Sequence, residues 1–399
     1  MPSNYRNFRH SVPWLLLLLE AVFIIAFYFL HPNDQRFMSD ISYPAFQDVS
    51  HMVIFGFAFF LAFLKRYGFS SAGFNLLIIA LGVQCSMLAE GLLPFRNNRN
   101  FLERITRAAV SLTAVVISTG AVLGKANPVQ LILMTVVEII AFHVSRWINV
   151  TFLLVQNNMS MKHVHLFGAY FGLAVSSRFS EPPPRSEKKA STPKSDLLSM
   201  LGTLFLWVFW PSFNFVLAEG EANKAIYNTY FALAVSAVAA FVLSVLTTKD
   251  GKLRMADIHS AVLAGGITVS LVAELIDYPW IAMILGLLAS VIAILGSHCL
   301  QNCWNPVLKI HDSSGVHFTF GLPAVLGALA RVFLCIIKNW TTEPSLGYSV
   351  MYAIGAFCQT ASVALIIGFI TGLILNLKLF KTIPVSKYFD DQFYWEVSF

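Results

Sequence analysis

Twelve stretches of this chain stay apolar for about the length a helix needs to cross a hydrocarbon layer, roughly 20 residues. They lie near 13–31, 47–64, 74–93, 108–124, 128–148, 162–179, 197–217, 226–247, 257–276, 280–300, 314–336 and 348–376. In lipid every backbone amide and carbonyl must be satisfied internally, so an apolar run this long reads as a helix. The expected fold is an all-α polytopic membrane protein with eleven or twelve transmembrane helices. Composition closes off the soluble alternatives: only 12% of the 399 residues are charged, against about 25% in a soluble domain. Five scattered cysteines make no disulfide framework. The net charge of +6 is spread without a basic cluster, so no nucleic-acid partner is expected.

The first run follows Arg6, Arg9 and His10, and no small-residue cleavage site comes after it. It reads as a retained signal-anchor helix with the amino terminus inside. Lys65, Arg66, Arg178, Lys249, Lys252, Lys378 and Lys381 then fall on that same side. The positive-inside rule puts both termini in the cytoplasm, although Arg96, Arg99, Arg104 and Arg107 oppose it for one loop. Glu181 to Asp196 holds Pro182-Pro183-Pro184 and Lys188-Lys189 and reads as a flexible linker. It parts a membrane domain of residues 1–380 into halves near 13–179 and 197–376, with a linker at 180–196 and a carboxyl tail at 381–399. Two halves of six runs suggest inverted pseudo-repeats. Sequence self-similarity is faint: His165 has Gly172 seven residues on, and Phe320 has Gly327.

Ionisable residues inside such runs are costly and point to function or to pairing. Glu20 and Glu138 lie deep and are expected to pair with polar groups on neighbouring helices. Glu90, Asp257, Glu274 and His143 are expected near the interfaces, relieved by snorkelling. His163 and His165 are two apart, so on a helix they point away from each other and cannot share a metal. No nucleophile–base pair and no phosphate-cradling loop is present, so neither an enzyme nor a cofactor is expected. Gly168, Gly172, Gly265, Gly266, Gly321 and Gly327 mark places where helices approach closely. Cys299 and Cys303, at a span end, are candidates for palmitoylation, with free packed thiols as the alternative.

Several stretches resemble the Rh branch of the ammonium transporter family. They include Phe46-Gln47-Asp48-Val49, Arg66-Tyr67-Gly68-Phe69, Gly120 to Lys125, Phe167 to Gly172, Trp210 to Asn214, and Ala261 to Gly266. His259 to Gly266, Leu375 to Lys378 and Lys387 to Gln392 most resemble the non-glycosylated Rhesus blood-group polypeptides. Consistent with that branch, Asn33 in the first loop is followed by Asp34 and Gln35 and is no glycosylation acceptor. Acceptor triplets begin instead at Asn149, Asn158 and Asn339.

The resemblance implies a subunit with two pseudo-symmetric halves, one pore and trimeric assembly in the plasma membrane. It also implies a pore lined by two histidines that strip a proton from ammonium and pass ammonia; the alternative to a subunit with conduction reduced or lost is a working channel for ammonia, ammonium or carbon dioxide. Carried over residue by residue, the first histidine falls on His165 and the second on Phe320. One outer gate ring falls on Phe213, beside Asn214, and the other on Val110. The family's buried aspartate falls on Asn157. Three of these pore positions therefore depart from the pattern, a change typical of the blood-group branch. That branch implies a partner, the Rh-associated glycoprotein, and attachment to a membrane-skeleton adaptor through the tail, with Tyr394 and Trp395 as exposed contacts.

Overall fold

The computed structural model describes residues 8–30, 42–93, 101–182, 190–218, 220–300, 311–339 and 346–396. Among them the chain is helical throughout, without a strand. Each of the twelve apolar runs coincides with one helix or with short helices in line. In order these are α1 (Phe8–Leu30), α2 (Tyr43–His51) continued by a π-turn (Met52–Gly56) into α3 (Phe57–Phe60), α4 (Gly68–Leu92), α5 (Phe101–Ala121) and α6 (Pro128–Thr151). Then come α7 (Asn157–Met161), α8 (Val164–Ser176), α9 (Pro193–Phe215), α10 (Ala222–Thr247), α11 (Met255–Ala261), α12 (Ala264–Val269) and α13 (Pro279–Leu295). A second π-turn (Gly296–Leu300) continues α13, a third (His317–Gly321) leads into α14 (Leu322–Asn339), and α15 (Leu346–Leu375) follows.

Eight of these helices are long and apolar enough to cross a membrane. The runs that fall short, α2–α3, α5, α7–α8 and α11–α12, are largely enclosed by other helices. A helix wrapped in protein does not face lipid, which frees it to break, to shorten and to carry charge. α5 shows this plainly. It starts seven residues before the apolar run, so Arg104 and Arg107 lie inside a buried helix and not in a loop. Arg107 reaches back one turn to Glu103 at 3.0 Å. Two of the arginines that weighed against the topology are therefore structural.

Local chemistry sets several helix starts. Asn127 and Gln130 form a reciprocal capping box ahead of Pro128 at the start of α6, and Thr192 and Ser195 do the same ahead of Pro193 in α9. Each satisfies two amides that the first helical turn leaves free. The helices associate through small residues. A methyl on Gly168 would meet the backbone of Ala114, and one on Gly172 that of Ser118, so α8 lies directly on α5. Gly286 and Gly265 both face the Ala232 carbonyl, drawing α13 and α12 onto α10. Gly327 presses α14 on Thr268 of α12.

The tail folds back onto the bundle. Asp391 accepts from the amides of Phe69 and Ser70 at 2.9 and 2.8 Å, capping the open start of α4. Phe389 fills the space over Gly124, whose φ of +75° suits only glycine. Trp395 donates to Ser70 Oγ at 3.0 Å and lies across Gly73, and Tyr394 packs edge-on against Phe74. Tyr394 is thus half-buried within the chain, where exposure was expected, while Trp395 stays exposed as expected although it packs on α4.

Candidate functional site

α8 carries His165 at its second position, 1% exposed. Its ring stacks on Trp210 at 5.4 Å and 21°, and leans on Phe213 at 5.5 Å. Neither ring nitrogen has a hydrogen-bond partner. Buried polar atoms are nearly always satisfied, so an imidazole held between two aromatic rings with both nitrogens unmet marks a place prepared for a polar solute. Trp210 and Phe213 sit on one face of α9 because they are three residues apart. Phe213 is thus brought against His165. Asn214 is turned elsewhere, donating to Thr229 Oγ1 at 2.9 Å and to the Gly266 carbonyl at 3.3 Å. It ties α9 to α10 and α12. Val110 is fully buried on α5 and belongs to the same apolar core as Phe213.

Phe320 lies in the π-turn before α14 and is 1% exposed. Its ring meets Phe57 at 5.9 Å and Phe60 at 6.0 Å. Phe60 in turn stacks flat on His259 at 3.6 Å, and the His259 Nε2 donates to the Phe60 carbonyl at 2.7 Å. The column His259–Phe60–Phe320 begins at the wall of a polar cavity of about 590 Å³ at the tail end of the bundle. Phe63, Phe318, Arg254, Asp257 and Asp312 line that cavity with His259. The next residue, Gly321, approaches Ala169 of α8. His165 and Phe320 therefore lie along one seam between the halves, one with unmet nitrogens and the other within packed carbon.

Of the groups expected to be relieved by snorkelling, Glu90, Asp257 and His143 are instead buried and Glu274 is half-buried, each with a partner in the protein. Arg146 Nη2 lies 3.8 Å from Glu90 and donates to Asn157 Oδ1 at 2.8 Å. Its Nη1 is 3.0 Å from His143 Nδ1, and His143 Nε2 is 2.8 Å from Ser86 Oγ. Asn157 is thus an acceptor for a guanidinium. Asp257 holds Arg254 at 2.7 Å and His298 at 3.2 Å. Lys162 holds Glu274 at 2.7 Å. The pairs Arg146–Glu90, His298–Asp257 and Lys162–Glu274 escaped the sequence because their partners are far apart along the chain. The expectation for Glu20 and Glu138 holds: Gln84 donates to Glu20 at 3.2 Å, and Ser118 donates to Glu138. Asn149 is buried and donates to Ser160 and Thr360, so the acceptor side chain of that triplet is enclosed. The side chain of Cys299 and all of Cys303 lie outside the described residues. Trp210, Phe57, Phe60 and His259 were missed; the only signal was the density of aromatics at 55–63 and 205–215.

The sequence profile of the Ammonium Transporter Family matches residues 14–384. An RH-like protein of Macaca mulatta is 41% identical over 409 residues, covering 99% of this chain and 98% of its own. The Blood group Rh(CE) polypeptide of Homo sapiens is 39% identical over 411 residues with the same coverage. Among solved structures, Nitrosomonas europaea Rh50 superposes with a TM-score of 0.75 at 28% identity, over 88% of this chain and 91% of that one.

Proposed function

We propose, for a chain that belongs to the ammonium transporter family, the role of a Rhesus blood-group-type membrane subunit in which ammonium or ammonia conduction is reduced or lost. The observation that carries this reading is Phe320 packed on Phe57 and Phe60. A phenyl ring has no nitrogen to take or pass a proton, and here its neighbours leave it no aqueous face. A bare cation in such surroundings would be strongly disfavoured.

The rest of the reading extends the family resemblance. The subunit would assemble as a trimer, with itself or with the Rh-associated glycoprotein, in the plasma membrane with both termini in the cytoplasm. The tail at 381–399 would present the complex to a membrane-skeleton adaptor, and Cys299 and Cys303 would be open to palmitoylation. Two pseudo-symmetric halves are supported by the matching seven-residue offsets, His165 to Gly172 and Phe320 to Gly327. Each of those glycines presses its helix onto another within its own half. A second reading, a working channel for ammonia, ammonium or carbon dioxide, is favoured by the two unmet nitrogens of His165.

Ammonia flux into sealed proteoliposomes, followed by internal pH, separates the two. Wild type beside a conducting Rh glycoprotein should match empty vesicles, and Phe320→His should raise the flux. Wild-type flux at the level of the control would overturn the reduced-conduction reading.

A further inference from the structure

The end of the bundle away from the tail is closed by charge. Lys162, in the turn between α7 and α8, is 3% exposed, and its Nζ lies 2.7 Å from Glu274 Oε1. Glu274 follows α12, in the opposite half of the chain. His165 and Ala169 are four apart and share a face of α8, and Lys162 lies in the turn that leads into that helix. Each touches the second half: Lys162 meets Glu274, His165 meets Trp210 and Phe213, and Ala169 faces Gly321. The ion pair therefore bridges the same seam that holds His165, from the turn just before it.

Further cations lie at this end. Arg146 is engaged with Glu90 and Asn157, Arg331 donates to the Leu271 carbonyl at 2.9 Å, and Lys224 and Lys338 are tied to Asp277. Lys162, Arg146 and Arg331 together outnumber Glu90 and Glu274. The carboxylate that would draw a cation toward His165 is already held by Lys162. With water largely excluded, like charges a few ångströms apart repel far more strongly than in solution.

We propose that Lys162, fixed by Glu274, is a specificity-determining residue of this seam that bars cations from His165 while admitting small neutral solutes. The proposal rests on reading the seam as a conduction path, and its test is independent of whether flux survives.

The test uses the full chain in sealed proteoliposomes, with the five native cysteines replaced by serine and His165→Cys as a reporter thiol. A neutral and a cationic methanethiosulfonate of similar size are added from the side opposite the tail. With Lys162 in place the neutral reagent should react at least about tenfold faster. Lys162→Met with Glu274→Gln should bring the ratio close to one, and removing both partners leaves no buried unpaired charge. Lys162→Arg should keep the discrimination. Equal rates with Lys162 present, failure of both reagents to reach the thiol, or discrimination that persists without the pair would each overturn the proposal. None of these alters the flux result at Phe320. Should the cysteine-free chain not fold, currents replace thiols. Phe320→His should then conduct ammonia without current, and adding Lys162→Met with Glu274→Gln should produce an ammonium current. An absent current in that triple variant overturns the proposal.

Discussion

In the first half of the chain His165 sits near the start of α8, with Gly168 and Gly172 pressed on α5. In the second, Phe320 sits just before α14, with Gly327 pressed on α12. The helical contacts around the two positions correspond, yet the side chains at the seam have opposite chemistry. His165 keeps two unmet nitrogens between aromatic walls, whereas Phe320 is saturated by Phe57 and Phe60. One arm keeps a polar group at a cost to stability, and the other has exchanged it for carbon packing. The close-packed scaffold survives the exchange because it depends on the glycines, which lie a helical turn or more away from either ring.

The sharpest way to break this comparison is to reverse the two side chains. Phe320→Ala removes a fully buried ring from a three-phenyl cluster and should cost about 3–5 kcal/mol, read as a large fall in melting temperature in detergent. His165→Phe should be neutral or stabilising, since it removes buried nitrogens that have no partner. A strong loss for His165→Phe would mean that the nitrogens are met in the native membrane, and the asymmetry would vanish.

A smaller effect tests the shared frame. Gly172→Val and Gly327→Val each drive a side chain into facing backbone, Ser118 in one case and Thr268 in the other. Overpacking of this kind costs about 1–3 kcal/mol. Both variants should lose thermal stability by similar amounts when followed by fluorescence-detected gel filtration. Loss in only one half would show that the two contacts are not equivalent.

Much of this frame is legible in the sequence. Apolar length alone places a helix at each of the twelve runs, although it misses α7 and the first seven residues of α5. His165 and Phe213 are found as a pair through the family pattern. What is hidden is the face each residue presents. A helix surrounded by protein, such as α5 or α8, is buried all round and has no polar stripe to orient it. Phe57 and Phe60 therefore look no different in sequence from the exposed Phe55. The π-turns at Met52–Gly56 and His317–Gly321, which turn Phe57 and Phe320 toward each other, have no composition of their own. Charge pairs are hidden for another reason. Arg146 and Glu90, or Lys162 and Glu274, meet only after the helices between them are folded.

The two ends of the bundle extend the comparison to its smallest expected effects. At the tail end, Asp391 caps α4 through two short bonds to buried amides, and only the first half is gripped, through Phe69, Ser70, Gly73 and Gly124. At the other end the second half has its own strap, Asp277, shared between Lys224 at 2.9 Å and Lys338 at 3.2 Å. Asp391→Ala leaves the first amides of α4 without acceptors and should cost about 1 kcal/mol, with faster proteolysis of residues 381–396. Asp277 is half exposed, so water screens its pairs and its removal at neutral pH should move the melting temperature little. Its two lysines hold the carboxyl below the usual carboxylate range. The strap's contribution is therefore complete above the unfolded value of about 3.9 and is lost as pH falls through the lower folded value. Melting curves of wild type and Asp277→Asn should differ slightly at pH 7 and converge near the bottom of that window. Curves that separate further as the solution is acidified would show that Asp277 is stabilised by something other than its lysines, and that the second half is held at this end by a different contact.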